Sequence, residues 1–380
     1  MKIAIVCYPT FGGSGVVATE LGIGLSKRGH EVHFVTYKQP VRLEYLSANI
    51  HFHEVTVPEY PLFLYQPYEL ALSTKLVNTI KKYKIEVLHV HYAIPHAYAG
   101  YMAKQMLKED GYHIKMMTTL HGTDITLVGS HSFYKGAVNF SINKSDCVTS
   151  VSQSLKEDTE RIFDIKKDIH VIPNFIDFEI LKDDPKNCQR QTMANEDEMI
   201  ITHVSNLRPV KRIEDVIRVF AKILKHQKAK LIIIGDGPDR DKAVNVAIEL
   251  NIRDNVLFMG KSNDVEKILC FSDLFILPSE KESFGLAALE AMAHGVPIIS
   301  TNTGGLPEVN IHGESGFLSN VGDVDDMAKN ALKIFESPQT HQKFKDAAKK
   351  RAREFDIKNI IQSYELLYEE MLENTSNSVI

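Results

Sequence analysis

The sequence predicts an α/β protein that contains two doubly wound parallel sheets. Short runs of β-branched residues alternate with longer segments of helical spacing through most of the 380 residues. Several of these runs, such as IAIV at 3–6, are continuously apolar, which is typical of strands covered by helices on both faces. The alternation stops in one polar stretch and then restarts, so two domains of similar size are expected.

The first domain is expected to span residues 1–173. Its seven predicted strands are Lys2–Cys7, Glu31–Tyr37, Ile50–Val55, Val87–His91, Lys115–Leu120, Cys147–Val151 and Ile169–Ile172. Good helix formers at helical spacing occupy several intervening segments, such as Gly15–Arg28, Tyr68–Tyr83 and Ala97–Lys108. Strands that alternate with helices in this way indicate a parallel sheet.

A polar segment of weak periodicity, residues 174–198, is expected to form a linker or a surface excursion. The second domain, residues 199–355, follows it with predicted strands in MIITHVSN, KLIIIGDG, NVLFMG, DLFILPS and VPIISTN. From residue 323 onward the patterns are helical. The last segment, 356–380, is amphipathic, and it is expected either to pack on the second domain or to cross back to the first.

Composition excludes several classes of protein. With 44 Lys and Arg against 49 Asp and Glu, the net charge of −5 argues against nucleic acid as a main partner. No apolar run reaches the roughly 18 residues that span a bilayer, and the start MKIAIVCYP is read as a strand rather than a signal peptide. The four cysteines show no C-x-x-C spacing, so reduced thiols and a cytoplasmic location are expected.

A glycine-rich loop, TFGGSGVVA at 10–18, follows the first strand. Glycines let backbone N–H groups approach a ligand, and the N-terminus of the next helix favours an anion. The stretch from Gly13 to Ala18 also fits the dinucleotide fingerprint G-x-G-x-x-A. However, five residues separate Cys7 from Gly13, and the second strand ends in FVTYKQ without the expected acidic residue. A phosphate-facing loop that includes Gly15 is therefore favoured over an NAD site.

Two glutamates, Glu282 and Glu290, occur in ESFGLAALE. Eight helical residues rise about 12 Å, which is too far for glycosidase carboxyl groups about 5–9.5 Å apart. The preceding strand places Glu282 at the carboxyl end of a parallel sheet, where ligands bind. The pair is expected to contact two parts of one long ligand, with an anion at the helix start near 284–286; the alternative is two ordinary carboxylates on a surface helix.

The basic turn SNLRPVKR at 205–212 follows the first strand of the second domain, where Lys211 is able to neutralise a phosphate. Considered alone, it would be a solvated turn. The loop TNTGGLPE includes Gly304 and Gly305, which are expected to let a ligand approach the backbone closely. GDGPDRD at 235–241 lacks the spacing of a calcium loop and is read as a strand-to-helix turn.

Histidines lie in the fourth predicted strand and in the loops after the fourth and fifth. His89 and His91 share one face of a strand, and His96 and His121 come later. Neither H-E-x-x-H nor a Cys/His quartet is present, so no metal site is predicted. His121 opens the loop HGTD at the carboxyl end of a strand, which is a ligand-facing position in this fold.

These pieces, together with the long block ESFGLAALEAMAHGVPIISTNTGGLPEV, resemble the retaining GT-B glycosyltransferases of glycosyltransferase family 4 over essentially the whole chain. The resemblance implies a GT-B fold, in which two Rossmann-like domains face a crevice and helices form the C-terminus. It implies that the second domain holds a nucleotide sugar. It also implies that no cofactor and no essential metal are required.

The resemblance implies roles for single residues. Glu290 would bind the ribose hydroxyls, Lys211 the diphosphate and Glu282 the sugar hydroxyls, while His121 would lie under the anomeric centre; His121 and Glu282 are the catalytic candidates. Further donor contacts are implied for Gly13, Gly15, Asn206, Lys261 (on the uracil), Phe284, Gly285 and Leu286. Acceptor contacts are implied for Ser14, Tyr92, Thr123 and Ser152. One departure is Asn206, which stands where the family usually has Arg.

Within the family, GGSG, HVHYAIPHAYAG and TTLHGTDIT are most similar to members that transfer N-acetylglucosamine from UDP-GlcNAc to L-malate, the first step of bacillithiol biosynthesis. The alternatives are another acceptor (inositol phosphate or a lipid), a UDP-sugar epimerase, or a non-catalytic sensor. KLVNTIKKYK at 75–84 is read as a core-facing helix, so stable membrane insertion is not expected. The oligomeric state stays open, with a homo-oligomer among the alternatives.

Overall fold

The computed structural model describes residues 1–10, 12–43, 48–179, 181, 190–262 and 264–376. The chain divides into two compact units, one formed by Met1–Asn174 with Ile357–Ile380 and the other by Phe175–Asp356. The segment expected to be a linker, 174–198, thus belongs to the second unit from Phe175 onward. Residues 180 and 182–189 of that segment lie outside the described residues.

The first unit contains a seven-stranded sheet in which every neighbouring pair is parallel, in the order β3-β2-β1-β4-β5-β6-β7. The strands are β1 (Lys2–Val6), β2 (Glu31–Thr36), β3 (Ile50–Glu54), β4 (Val87–His91), β5 (Lys115–Leu120), β6 (Cys147–Ser150) and β7 (Ile169–Val171). All seven strands were predicted to within one residue of these bounds. Continuous apolar or alternating patterns with Gly or polar residues at their ends explain this accuracy.

Among the described residues of Met1–Asn174, five α-helices follow these strands. They are α1 (Gly13–Lys27), α2 (Tyr68–Tyr83), α3 (Tyr98–Glu109), α4 (Ser132–Lys144) and α5 (Gln153–Ile162). Short π-helical turns, Ala93–Ala97 and Thr123–Leu127, follow β4 and β5. On one face, α2 and α3 pack on an apolar core that includes Val6, Val35 and Val90.

The second unit contains a six-stranded parallel sheet in the order β10-β9-β8-β11-β12-β13. Its strands are β8 (Met199–Val204), β9 (Ala229–Ile234), β10 (Val256–Gly260), β11 (Leu274–Leu277), β12 (Ile298–Thr301) and β13 (Gly316–Ser319). β13 was not predicted, because GFLS is short and only half apolar. Its parallel pairing with β12 determines its conformation.

In the described part of the second unit, seven α-helices accompany this sheet. They are α6 (Ile213–Leu224), α7 (Arg240–Glu249), α8 (Val265–Leu269), α9 (Leu286–Ala293), α10 (Leu306–Val309), α11 (Val324–Ile334) and α12 (Pro338–Arg353). The amphipathic α6 buries Val216, Phe220 and Ile223 in the core beneath β8 and β9.

The final helix, α13 (Ile357–Ser376), belongs to the first unit. It packs closely on α1, because a Cβ added at Gly24 would lie 2.9 Å from the Cδ1 atoms of Ile357 and Ile361. Tyr364 and Tyr368 of this helix are almost completely buried. This is the placement that the sequence left open as an alternative to packing on the second domain.

Both sheets reverse their strand order at the equivalent place, between β1 and β4 in the first unit and between β8 and β11 in the second. The prediction of two doubly wound parallel sheets is confirmed. In open sheets of this type, ligands bind beyond the carboxyl ends of the strands at the point of reversal. Ligand-binding residues are therefore expected at these two places.

The described cysteines differ in state. Cys7 and Cys147 are free and buried, whereas Cys270 is disulfide-bonded, so the expectation of reduced thiols is wrong for Cys270. Among the described helices, none combines the length and the apolar character needed to cross a membrane.

Candidate active site

The first group of site residues lies at the β1–β4 reversal. The loop after β1 folds tightly against the start of α1, since a Cβ at Gly15 would lie 2.4 Å from the carbonyl oxygen of Thr10. Among the described residues, no side chain caps the N-terminus of α1. The hydroxyl of Tyr92, which follows β4, donates a hydrogen bond to Oγ of Ser14 at 2.8 Å. The structure therefore brings together uncapped N–H groups and two hydroxyls that the sequence analysis assigned to the site.

His121 follows β5 and belongs to a stack of imidazoles. Its Nε2 lies 2.8 Å from Nδ1 of His91, and the two rings stack with centroids 5.1 Å apart. The rings of His89 and His91 also stack, with centroids 4.5 Å apart. Burial, with a smaller contribution from His96, lowers the pKa of His121 to about 3. Its imidazole is therefore neutral at neutral pH.

Asp124 is a site residue that the sequence analysis missed. This buried carboxylate accepts hydrogen bonds from the backbone N–H groups of Ala93 at 2.8 Å and of Gly122 at 2.9 Å. It thereby joins the π-helical turns that follow β4 and β5. Burial raises the pKa of Asp124 to about 6, although these backbone donors act in the opposite direction. Its position in the sequence, three residues after His121 in a loop at the end of a strand, could have identified it as a site residue.

The two remaining acceptor candidates of the first unit differ in their surroundings. Thr123 makes a side-chain hydrogen bond with Tyr92, so it lies with the hydroxyls described above. Ser152 is fully buried, and its Oγ accepts a hydrogen bond from the N–H of Leu155 at 3.0 Å as the N-cap of α5. This cap explains Ser152 without any ligand.

The second group lies at the β8–β11 reversal and is charged. Nζ of Lys211, in the turn after β8, lies 2.5 Å from Oε2 of Glu282, in the loop after β11. Oγ of Ser279 donates to the same oxygen at 3.4 Å. The N–H of Glu280 donates to the carbonyl of Val210 at 2.8 Å, which holds the two loops together. Two residues 71 positions apart thus form an ion pair at the predicted place.

Glycines hold the backbone of Glu282 in position. A Cβ at Gly304 would lie 1.9 Å from the carbonyl oxygen of Glu282, to which the N–H of Gly305 donates at 2.9 Å. The backbone of Glu282 thus fills the space where a Cβ of Gly304 would lie, which explains the need for glycine here without a ligand. Close approach of a ligand to this loop stays a prediction. Gly285, with φ +100°, ends this loop as the N-cap of α9, and no side chain caps the helix. Its first N–H groups remain available to an anion.

Five donor candidates remain, and they differ in exposure. Asn206 is exposed in the turn after β8, and Lys261 is exposed directly after β10, at the edge of the sheet. Phe284 is buried with its ring 5.6 Å from that of Phe355, so only its backbone is available to a ligand. Leu286 and Glu290 are partly buried on α9.

His203 is a second residue that the sequence analysis missed. It is fully buried on β8, where its Nδ1 lies 2.8 Å from the carbonyl oxygen of Ile276 and its Nε2 lies 2.7 Å from Oγ of Ser205. It thus links β11 to the start of the basic turn. Burial lowers the pKa of His203 to about 4. The sequence offered no signal, because His203 lies in an otherwise ordinary strand.

Comparison with known proteins gives matches over both units. Residues 11–180 match the family described as Glycosyltransferase Family 4, and residues 185–351 match Glycosyl transferases group 1. The chain is 45% identical over 382 residues, all of both chains, to N-acetyl-alpha-D-glucosaminyl L-malate synthase of Bacillus anthracis. It is 32% identical to an uncharacterized glycosyltransferase of Methanocaldococcus jannaschii, over 83% of this chain and 84% of the relative.

Solved structures share the fold at lower identity. Sucrose-phosphate synthase from Thermosynechococcus elongatus has a TM-score of 0.80 at 20% identity, with 98% of this chain and all of that chain covered. Anabaena HepE in complex with UDP and glucose has a TM-score of 0.79 at 20% identity, with 97% and 99% covered. From the full-length relative and the two family matches, the chain belongs to the glycosyltransferases of family 4.

Proposed function

We propose that this protein is a retaining glycosyltransferase that moves N-acetylglucosamine from UDP-GlcNAc to the hydroxyl of L-malate. The single observation that carries the proposal is 45% identity, over the full length of both chains, to a GlcNAc–malate synthase. The two groups of site residues support it, because one offers charges suited to a nucleoside diphosphate sugar and the other offers hydroxyls and a neutral imidazole.

In this proposal the second unit binds the donor. The ammonium of Lys211 and the N–H groups at the start of α9 would bind the diphosphate. Lys211 pairs with Glu282 in the structure, and the diphosphate would share or replace that contact. Glu282 would then accept hydrogen bonds from the sugar hydroxyls, and Glu290 from the ribose. Because Asn206 is neutral, the phosphate charge would fall on Lys211, with the exposed Arg208 of the same turn as a second cation that could contribute.

In the first unit, His91 would determine which proton His121 presents. Nε2 of His91 is buried, and it has no hydrogen-bond partner among the described residues. A buried acceptor without a partner costs less than a buried donor without one, so the proton belongs on Nδ1 of His91. That N–H donates to Nε2 of His121, which leaves His121 with its proton on Nδ1 as a donor to the sugar.

The neutral state of His121 suits the reaction. As the bond from the anomeric carbon to the diphosphate breaks, positive charge develops on the sugar ring, and an imidazolium beside it would repel that charge. The malate hydroxyl forms the new bond on the same face of the sugar, and its proton passes to the departing phosphate oxygen. Tyr92, Ser14 and Thr123 would hold the acceptor near the start of α1.

The test is formation of UDP from UDP-GlcNAc by the purified protein, with EDTA, with and without L-malate, and with mass spectrometry of the product. The proposal predicts malate-dependent UDP and a product with the mass of GlcNAc–malate. UDP release without malate dependence would discard the acceptor. Interconversion of the UDP-sugar without any acceptor would favour an epimerase, and binding without turnover would favour a sensor.

A further inference from the structure

A second cluster of polar side chains lies on β2 and β3, strands that contribute none of the site residues described above. The parallel register places His33 opposite His51 and Val35 opposite His53. Glu31 shares the face of His33, because side chains two residues apart on a strand point the same way. One row nearer the carboxyl ends, Val35 belongs to the apolar core that packs on α2, while His53 beside it is polar. The polar side chains of β2 and β3 therefore lie next to an apolar core.

Three ligand atoms of this cluster converge on one point. Nε2 of His33 lies 3.0 Å from Oε1 of Glu31, and Nε2 of His51 lies 3.5 Å from the same oxygen. All three atoms lie within 4.8 Å of one another. Metal–ligand bonds of about 2.0–2.2 Å at tetrahedral angles place ligand atoms roughly 3.3 Å apart. The separations around Glu31 fall on either side of this value.

We propose that Glu31, His33 and His51 form a binding site for a divalent transition metal such as Zn²⁺, with water completing the coordination. Two imidazoles and one carboxylate are the borderline ligands that zinc accepts, whereas magnesium and calcium prefer oxygen ligands alone. The exposed fractions of Glu31 and His51, 29% and 35%, leave a path for the ion and for water.

The surrounding residues orient these three ligands. Nε2 of His53 lies 2.9 Å from Nδ1 of His33, and Nζ of Lys2 lies 2.9 Å from Oε2 of Glu31. Lys2 thus occupies one carboxylate oxygen and leaves Oε1 for the metal. The ring of Tyr83 lies against His33 at 4.7 Å and closes that side. Such outer contacts fix the orientation of metal-binding side chains.

Metal binding would reverse the hydrogen bond between His33 and His53. Without a metal, Nε2 of His33 must donate to the carboxylate of Glu31, so the Nδ1 of neutral His33 accepts from His53. With a metal on Nε2, the proton of His33 lies on Nδ1 and is donated to His53. This change of tautomer gives a spectroscopic signature that a purely structural cluster would not show.

The sequence analysis predicted no metal site, since it weighed only the histidines of β4 and the loops after β4 and β5. EVH and HFH carry no standard metal motif, and only the register of two parallel strands brings them together. The inference does not rest on the proposed function, because β2 and β3 supply none of the residues assigned to transfer.

The test uses untagged, full-length protein that has been stripped with EDTA and dialysed. We expect calorimetry to show one Zn²⁺ bound per chain, and Co²⁺ to give visible absorption bands of a low-coordinate site. His51→Ala and Glu31→Gln should weaken Zn²⁺ binding about tenfold or more, whereas His226→Ala, which removes an exposed histidine of the second unit, should leave it unchanged.

These substitutions affect partly exposed side chains, so they avoid the cavity that His33→Ala would create. Nitrogen chemical shifts of His33 should change from the Nε2–H to the Nδ1–H tautomer as Zn²⁺ is added. Absence of saturable one-to-one binding would overturn the proposal. Binding that His51→Ala and Glu31→Gln leave intact would also overturn it, because the ion would then be held elsewhere.

Discussion

The two units have the same strand order up to the sixth strand but carry opposite chemistry at the equivalent place. At the carboxyl ends of β1, β4 and β5 stand the neutral imidazole of His121 and the hydroxyls of Tyr92 and Ser14. At the β8–β11 reversal stand an ammonium and a carboxylate, Lys211 and Glu282, 2.5 Å apart. The difference teaches that strand order determines where a ligand binds, while the loop residues determine what kind of ligand it is.

The loops that hold the two groups are also built differently. In the first unit, the buried carboxylate of Asp124 receives the N–H groups of two loops. In the second unit, Gly304 and Gly305 bring one loop backbone against that of Glu282. Neighbouring loops are thus joined in two ways. One way is a side chain that accepts several hydrogen bonds, and the other is a glycine whose missing Cβ lets two backbones come close.

The largest expected effect is that of His121→Ala on turnover. Loss of one preorganised polar group at a reacting centre lowers kcat by about 10²–10³-fold. The affinity for UDP should stay nearly the same as that of the wild type, because the proposed nucleotide contacts all lie in the second unit. Steady-state rates and a calorimetric UDP titration measure both, with His170→Ala, an exposed position of the same unit, as the control. A parallel loss of UDP affinity would place His121 in the donor site instead.

Lys211→Ala is expected to weaken UDP binding at the charged site of the second unit. Hydrogen bonds to charged groups contribute about 1.5–3 kcal/mol, so UDP affinity should fall about 10–100-fold. Lys225→Ala, which removes an exposed lysine of the same unit, should bind UDP as the wild type does. Unchanged affinity in Lys211→Ala would contradict the assignment of this turn to the diphosphate.

Glu290→Gln is expected to have a smaller effect, confined to donor binding. The amide retains the shape of the side chain but loses the charge that strengthens hydrogen bonds from ribose hydroxyls. KM for UDP-GlcNAc should rise about tenfold while KM for malate stays the same. Donor kinetics at saturating malate provide the measurement, and an unchanged donor KM would remove the ribose assignment.

Lowering the pH below about 6.5 should reduce the stability of the first unit more than that of the second. Burial lowers the pKa of His89 and His121 to about 3 and that of His96 to about 4. In the second unit, His203 is similarly lowered to about 4. In the unfolded chain these histidines have a pKa near 6.5, so they bind protons at a pH where the folded histidines are still neutral. The free energy of unfolding therefore falls as the pH drops below about 6.5.

The contribution of Asp124 to stability changes with pH in the opposite direction to that of the histidines. Its pKa is raised to about 6, so its contribution to stability is greatest at low pH and is lost as the pH rises through about 6. One carboxyl offsets only part of the effect of several histidines. Hydrogen exchange, corrected for intrinsic rates, should show that protection of β4 and β5 falls more between pH 7 and pH 5 than that of β8 and β11. Equal losses in the two units would contradict this expectation.

Most of the fold was predictable because its signals are local. Strands such as β1 and β4 are apolar runs with clear ends, and the alternation with helices specifies a parallel sheet. β13 escaped because its four residues carry little signal apart from their pairing with β12. The return of α13 to the first unit was left as an alternative, since an amphipathic pattern shows that a helix packs but not on what.

The candidate site was predictable where a residue follows a strand end. Lys211, Glu282 and His121 were identified in this way. Asp124 and His203 were missed, because their importance depends on burial and on partners distant in sequence. The cluster on β2 and β3 was not predicted for a related reason. It depends on the register between two strands, which neither strand's sequence specifies alone.

His121 is expected to be a neutral imidazole that donates a hydrogen bond, in contrast to the charged Lys211 and Glu282 of the second unit. Nitrogen NMR of His121 across pH 5 to 8 measures its protonation, with His121→Ala used to assign the signal. We expect that His121 does not titrate in this range and that it carries its proton on Nδ1. Titration with a midpoint near 6.5, or a proton on Nε2, would contradict it.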